Sequence, residues 1–274
     1  MFHVKNRYAL FLGKILTLGF FLVSYNACML FPWKSSFKPQ VITSAVAEKY
    51  VVYAMMSSNA YHKTDRAKFA LEKLGWIQVG LNDLPTDQPT KESRSGLAYD
   101  IYKKQGTNEA VMAFRGTDSK RDWPTGNLMA GALIQYKQAR EAFDAYRESH
   151  PNEKIIVTGH SLGGGLALSI SVRKGIDAIV FDSSPRIFDG LGDKHLPATR
   201  VLIYQDGEVL EIIRKYSKKI FEVIPQENIF ECFFDFGTRN IVNKHRSDYL
   251  ASGLLELGAK ENQAFIPLLD VLPR

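Results

Sequence analysis

The sequence predicts an α/β fold, with a mostly parallel central sheet and helices on both faces. Three observations predict it. An amphipathic stretch from Leu133 to Tyr146 is closed by Pro151, and a compact β-branched run, Lys154 to Thr158, follows at once. Two more short apolar runs, Ala178 to Phe181 and Arg200 to Tyr204, come later in the chain. Uninterrupted apolar runs of this length suit strands buried on both faces, and a helix leading into such a strand suits a crossover onto a parallel sheet. The chain has 274 residues, 45% hydrophobic and 23% charged, and no internal repeat, so one large core can serve its globular part.

The first segment reads as an address. Lys5, Arg7 and Lys14 precede an uncharged apolar run from Ile15 to Val23, and Ala27-Cys28 follow. That order predicts an export signal or an N-terminal membrane anchor over residues 1–27, with the folded domain from 28 to 274. The run is short against the roughly 20 apolar residues of a membrane span, which favours cleavage. Ala27-Cys28 resembles a bacterial lipoprotein cleavage site, although Tyr25 departs from it, so Cys28 is either a lipid attachment point or an ordinary thiol near the boundary. Export places the chain in the periplasm, in the envelope or outside the cell. With Cys232 the only other thiol, no disulfide framework is available and burial has to hold the fold. The formal charge of +6 falls to +3 if residues 1–27 are removed. A mild positive excess suits an anionic membrane surface. No dense basic stripe with interleaved aromatics argues for nucleic acid.

Within the domain, Ala45, Tyr50, Val51, Ala54 and Met55 recur at helical spacing and predict a packing helix from Ser44 to Tyr61. Ser95 to Lys104 and Glu109 to Phe114 predict two strands joined by a Gly-containing turn. From Leu133, residues Tyr136, Ala139, Phe143 and Tyr146 form one apolar face, with Lys137, Arg140, Glu141 and Asp144 between them.

The strand from Lys154 runs directly into Gly159-His160-Ser161-Leu162-Gly163, and small residues from Gly164 to Val172 predict a helix behind it. G-x-S-x-G between a strand and a helix is a nucleophile elbow: a sharp, strained turn that lifts a serine hydroxyl above the sheet edge. This makes Ser161 the candidate nucleophile. The N–H of Leu162, at the positive end of the following helix, is a candidate oxyanion donor. Ala113-Phe114-Arg115-Gly116-Thr117 ends an earlier strand, where a second donor is needed, and Thr117 offers both N–H and hydroxyl.

AFRGT, then Asp122-Trp123 and Asn127, then the helix leading through His150-Pro151 into IIVTGHSLGGGLA, resembles the class 3, fungal-lipase-like family of α/β-hydrolases. The resemblance covers roughly residues 99–185, through Ser184-Pro185, and loosens beyond them. It implies an α/β-hydrolase fold and an oxyanion hole made by Thr117 and Leu162.

A serine nucleophile needs a base and the base an orienting carboxylate, in this fold in the chain order Ser, acid, His. Of the histidines after Ser161, His195 precedes the best acid candidate and His245 follows it, so His245 is the expected base. Asp206, just past the run that ends at Tyr204, is the expected acid, with Asp182 the alternative; Gly-Glu-Val after Asp206 departs from the family's Pro-containing continuation. No metal or other cofactor is called for, because no His, Cys and carboxylate cluster stands at ligand spacing along the chain. The expected substrate is a lipid ester, cleaved by a lipase or phospholipase. A soluble carboxylesterase or thioesterase, and a catalytically silent envelope protein, are the alternatives. Residues 207–240, with Ile212, Ile213, Lys215, Lys218, Lys219, Phe230, Phe233 and Phe234, read either as a lipid-facing cap or as helices packed on the core.

Overall fold

The computed structural model describes residues 40–117, 126–184, 196–211, 229–235 and 241–271. The expected export segment and Cys28 lie outside these residues, as do 212–228 and 236–240 of the expected cap.

Among the described residues nine strands form one sheet. They are β1 (Gln40–Val41), β2 (Trp76–Val79), β3 (Lys91–Glu92), β4 (Ala98–Lys104), β5 (Glu109–Phe114), β6 (Lys154–His160), β7 (Ala178–Phe181), β8 (Arg200–Gln205) and β9 (Ile229–Phe234), in the spatial order β1-β9-β8-β7-β6-β5-β4-β2, with β3 beside β4. Every pairing from β1 to β5 is parallel, and the pairings of β4 with β5, β2 and β3 are antiparallel. The parallel part is the one predicted from its continuous apolar runs. The antiparallel end is reached by the predicted hairpin turn between β4 and β5.

The pleat sends alternate residues to opposite faces. Ile156 of β6, Ile179 and Phe181 of β7 and Val201 and Ile203 of β8 join one core cluster, under helices α1 (Ser44–Asn59) and α5 (Ser247–Gly258). Ile155 and Val157, Ala178 and Val180, and Leu202 join the other, under α2 (Gly126–Ser149) and α3 (Leu162–Lys174). On α2 the predicted face is the buried one: Tyr136, Ala139, Phe143 and Tyr146 are all inside, while Lys137 and Glu141 form an exposed pair one turn apart. Full burial of each aromatic side chain on that face contributes about 1.5–3 kcal/mol.

One sequence expectation changes. Phe230, Phe233 and Phe234 belong to β9, between β1 and β8, rather than to a cap; Phe234 is buried in the core and Tyr204 stacks on Phe233. The short β1, which pairs with β9, has too few residues to leave a periodic signal. Among the described residues no helix is long and apolar enough to cross a membrane.

Candidate active site

The parallel strands all end on one edge, and the site is built there. Between β6 and α3 the chain turns at Ser161, whose φ of 58° and ψ of −127° lie outside the regions an L-residue prefers. Such backbone costs on the order of 1–3 kcal/mol and persists only where its surroundings hold it. Three hydrogen bonds do so. Ser161 N–H donates to the Phe181 carbonyl (3.1 Å), and its own carbonyl accepts from Ser184 N–H (2.9 Å) and Gly165 N–H (3.2 Å). The turn also has to pass very close to its neighbours. A Cβ on Gly163 would overlap the Phe114 carbonyl at the end of β5, which explains the glycine two residues after the serine.

Thr117 and Leu162 are the expected oxyanion donors. Leu162 is the first residue of α3, so its N–H is one of the amides that have no partner within the helix. Thr117 follows Gly116, and a Cβ on Gly116 would collide with the His160 carbonyl and the Tyr61 hydroxyl and come within 3.0 Å of the Ser161 Cβ. The AFRGT segment therefore passes directly over the elbow. Arg115, in the same segment, is tied by its guanidinium to Glu92 of β3 at 2.7 Å.

His245 lies between the short helix α4 (Ile241–Lys244) and α5. Its Nε2 is 2.9 Å from Ser161 Oγ, 84 residues away in the chain. Both of its neighbours are anchored. Lys244 Nζ donates to the Asp206 carbonyl (2.9 Å) and to Asp235 (3.1 Å). Arg246 forms a two-pronged pair with the fully buried carboxylate of Asp248 (3.0 and 2.6 Å). The hydrogen bond to Asp248 raises the Arg246 pKa above its ordinary value.

The carboxylate that meets His245 is Glu208, not Asp206. Glu208 Oε2 is 2.7 Å from His245 Nδ1, and the Glu208 side chain is fully buried. The reason is local. Asp206 N–H still donates to the Phe234 carbonyl (2.8 Å), prolonging the β8–β9 ladder, and leaves its side chain exposed. Gly207 then adopts φ 73°, a left-handed turn that favours glycine, and the chain folds back so that Glu208 is the first acid to face inward. Leu210 N–H donates to the same Glu208 oxygen at 2.8 Å and fixes its direction. The signal was present in the sequence as Gly-Glu directly after Asp206.

With a carboxylate at Nδ1, the imidazole proton sits there, and Nε2 presents its lone pair to the Ser161 hydroxyl. The arrangement can draw a proton off Ser161 and stabilise the imidazolium that results. Asp182, the alternative acid, directly follows β7 with φ 40°; its Oδ1 accepts from Gln205 N–H at 2.8 Å, and its Oδ2 stands 3.8 Å from Nε2 of His160. His160 had no assigned role in the sequence. Its ring lies 4.7 Å from that of His245, and its Nδ1 is 2.8 Å from the Tyr61 hydroxyl.

Residues 52–226, a span holding Thr117, Ser161 and Glu208, match the Tle-like phospholipase domain. The chain belongs to this phospholipase-like family. A 95-residue stretch is 32% identical to an extracellular phospholipase A1 of Serratia liquefaciens, covering 34% of this chain and 29% of that protein, so the chain spans well under half the length of that relative. Solved structures similar to this Tle-like chain include a lipase from Rhizopus microsporus var. chinensis (20% identity, 64% of this chain and 72% of that one, TM-score 0.41). Another is lipase II from Rhizopus niveus (20% identity, 62% and 76%, TM-score 0.42). The fold rests on the sheet order and elbow described above.

Proposed function

We propose that this Tle-like domain hydrolyses carboxylic esters of lipids, phospholipids first among them, through an acyl-enzyme on Ser161. The observation that carries the reading is the relay Ser161–His245–Glu208, with bonds of 2.9 and 2.7 Å, on a strained elbow at the C-terminal edge of a parallel sheet. In the first step His245 Nε2 takes the Ser161 proton as Oγ attacks the ester carbonyl. The N–H groups of Leu162 and Thr117 hold the oxyanion, and Glu208 stabilises the imidazolium. His245 then protonates the departing alcohol, and water repeats the attack with His245 again as base. All of these steps run on the chain's own side chains and amides.

Membership of a phospholipase-like family and the stretch shared with a phospholipase A1 favour a glycerophospholipid over a triglyceride, and the sn-1 ester over the sn-2. The substrate then arrives in a membrane. The relative is extracellular, and the N-terminal segment of this chain reads as an export signal or anchor; both support action outside the cytoplasm.

The test is a panel of phosphatidylcholine labelled at sn-1 or sn-2, triolein and a short-chain chromogenic ester, offered to wild type and to Ser161→Ala. The expected result is fatty acid released from the sn-1 position by wild type and turnover lost in Ser161→Ala with its melting curve intact. Hydrolysis of the chromogenic ester alone would reduce the protein to a soluble esterase. Turnover that survives Ser161→Ala would remove Ser161 from the mechanism.

A further inference from the structure

His160, Asp182 and His245 are separated by 22 and 63 residues in sequence, yet one ligand atom from each lies within 4.8 Å of the others. Their spacing along the chain hides the cluster; the sheet edge assembles it, from the ends of β6 and β7 and the loop before α5. Two imidazoles and a carboxylate are a donor set suited to a zinc-type cation, with a water in the fourth position of a tetrahedron.

The outer contacts fit that use. A metal-binding imidazole ordinarily donates its second N–H to an oxygen, which fixes the ring and leaves the other nitrogen to the metal. Both rings here have such an oxygen at Nδ1: the Tyr61 hydroxyl at 2.8 Å from His160 and Glu208 at 2.7 Å from His245. Gln205 N–H holds Asp182 by Oδ1 in the same way, at 2.8 Å. Each residue thus has one donor atom fixed from behind and one turned inward. His160 Nε2 and Asp182 Oδ2 are 3.8 Å apart. In a tetrahedral site with bonds of about 2.0–2.1 Å, ligand atoms stand about 3.3 Å apart, so closing this pair takes a shift of about half an ångström.

We propose that His160, Asp182 and His245 form an inhibitory site for a divalent zinc-type cation. The inference rests on the hydrolase reading for its consequence but not for its binding site. His245 Nε2 accepts the Ser161 hydroxyl in the resting enzyme and cannot serve a metal at the same time. Bound cation therefore withdraws the base from Ser161 and stops the first step. Removing the cation with a chelator returns the lone pair and the activity. Calcium and magnesium, which favour oxygen ligands, fit this nitrogen-rich set poorly.

The test begins with binding, which needs no turnover. Calorimetric titration of Ser161→Ala with zinc chloride, after chelator treatment, is expected to show one saturable site, with no comparable heat from magnesium. Asp182→Asn keeps the acceptor for Gln205 N–H, and His160→Gln keeps a polar group beside Tyr61. Placed singly in the Ser161→Ala background, each is expected to weaken binding at least tenfold; should one fail to fold, the other answers. In wild type, zinc is expected to block labelling of Ser161 by a fluorophosphonate, and EDTA to restore it. No saturable site in Ser161→Ala, or affinity unchanged by both substitutions, overturns the proposal. Specific binding to a protein that cleaves no ester would leave the site standing and count against the hydrolase reading instead.

Discussion

Glu208 reaches Nδ1 of His245 at 2.7 Å from beyond a left-handed glycine turn, while Asp206, two residues earlier and directly after the strand, faces solvent. This relationship separates two acids that are nearly adjacent in the chain. Glu208→Gln is expected to lower kcat on a short-chain ester by about 10³- to 10⁴-fold, the scale of losing the carboxylate that orients a catalytic imidazole. Asp206→Asn is expected to stay within about twofold of wild type, as exposed substitutions generally do. The reverse pattern in steady-state rates would return the acid role to Asp206.

Gly116 carries the AFRGT segment over the elbow with no room for a methyl group. Gly116→Ala is expected to push Thr117 away from Ser161 and reduce kcat by about 10²- to 10³-fold, comparable to losing one oxyanion donor. KM should change much less, because the displaced amide acts on the transition state. A drop in KM and kcat together, or no effect, would separate Thr117 from the oxyanion hole.

Arg246 holds the loop next to His245 through its two-pronged pair with buried Asp248. Arg246→Ala leaves that carboxylate buried and unpaired, at a cost of about 3–5 kcal/mol. Denaturant unfolding is expected to show that loss. Arg246→Ala combined with Asp248→Ala should be less damaging than the single change, and a double variant that is worse would contradict the pairing.

Cys232 lies in β9 within the core, and burial pushes its thiol up to about 11. The neutral thiol is the form the fold stabilises, so this contribution is present at neutral pH and is lost as pH rises through that value. Native protein with Cys28→Ser is expected to resist maleimide at pH 8 and to react fully once unfolded, because the thiolate is the nucleophile. Rapid labelling of the native protein, followed by mass spectrometry, would place Cys232 nearer the surface.

The elements that were legible are the ones whose own residues dictate them. The β6–Ser161–α3 elbow was readable from GHSLG between a β-branched run and a small-residue stretch, and the buried face of α2 from its three- and four-residue spacing. His245 was reachable by chain order among the remaining histidines. The two-residue β1 and the aromatic β9 were not readable, because β9 owes its strand to β8 and β1 beside it, while its phenylalanines suit a lipid-facing cap equally well. Glu208 was missed because the choice between it and Asp206 depends on one backbone turn at Gly207. The His160–Asp182–His245 cluster depends on strands that meet only in the folded sheet.

Activation of the Ser161 hydroxyl by His245 is open to active-site titration with a fluorophosphonate. One adduct per chain is expected, mapped by peptide mass spectrometry to Ser161, with ester hydrolysis falling in proportion to labelling and with labelling lost in His245→Ala. An adduct on another residue, or full activity in a chain whose Ser161 is fully modified, would contradict it.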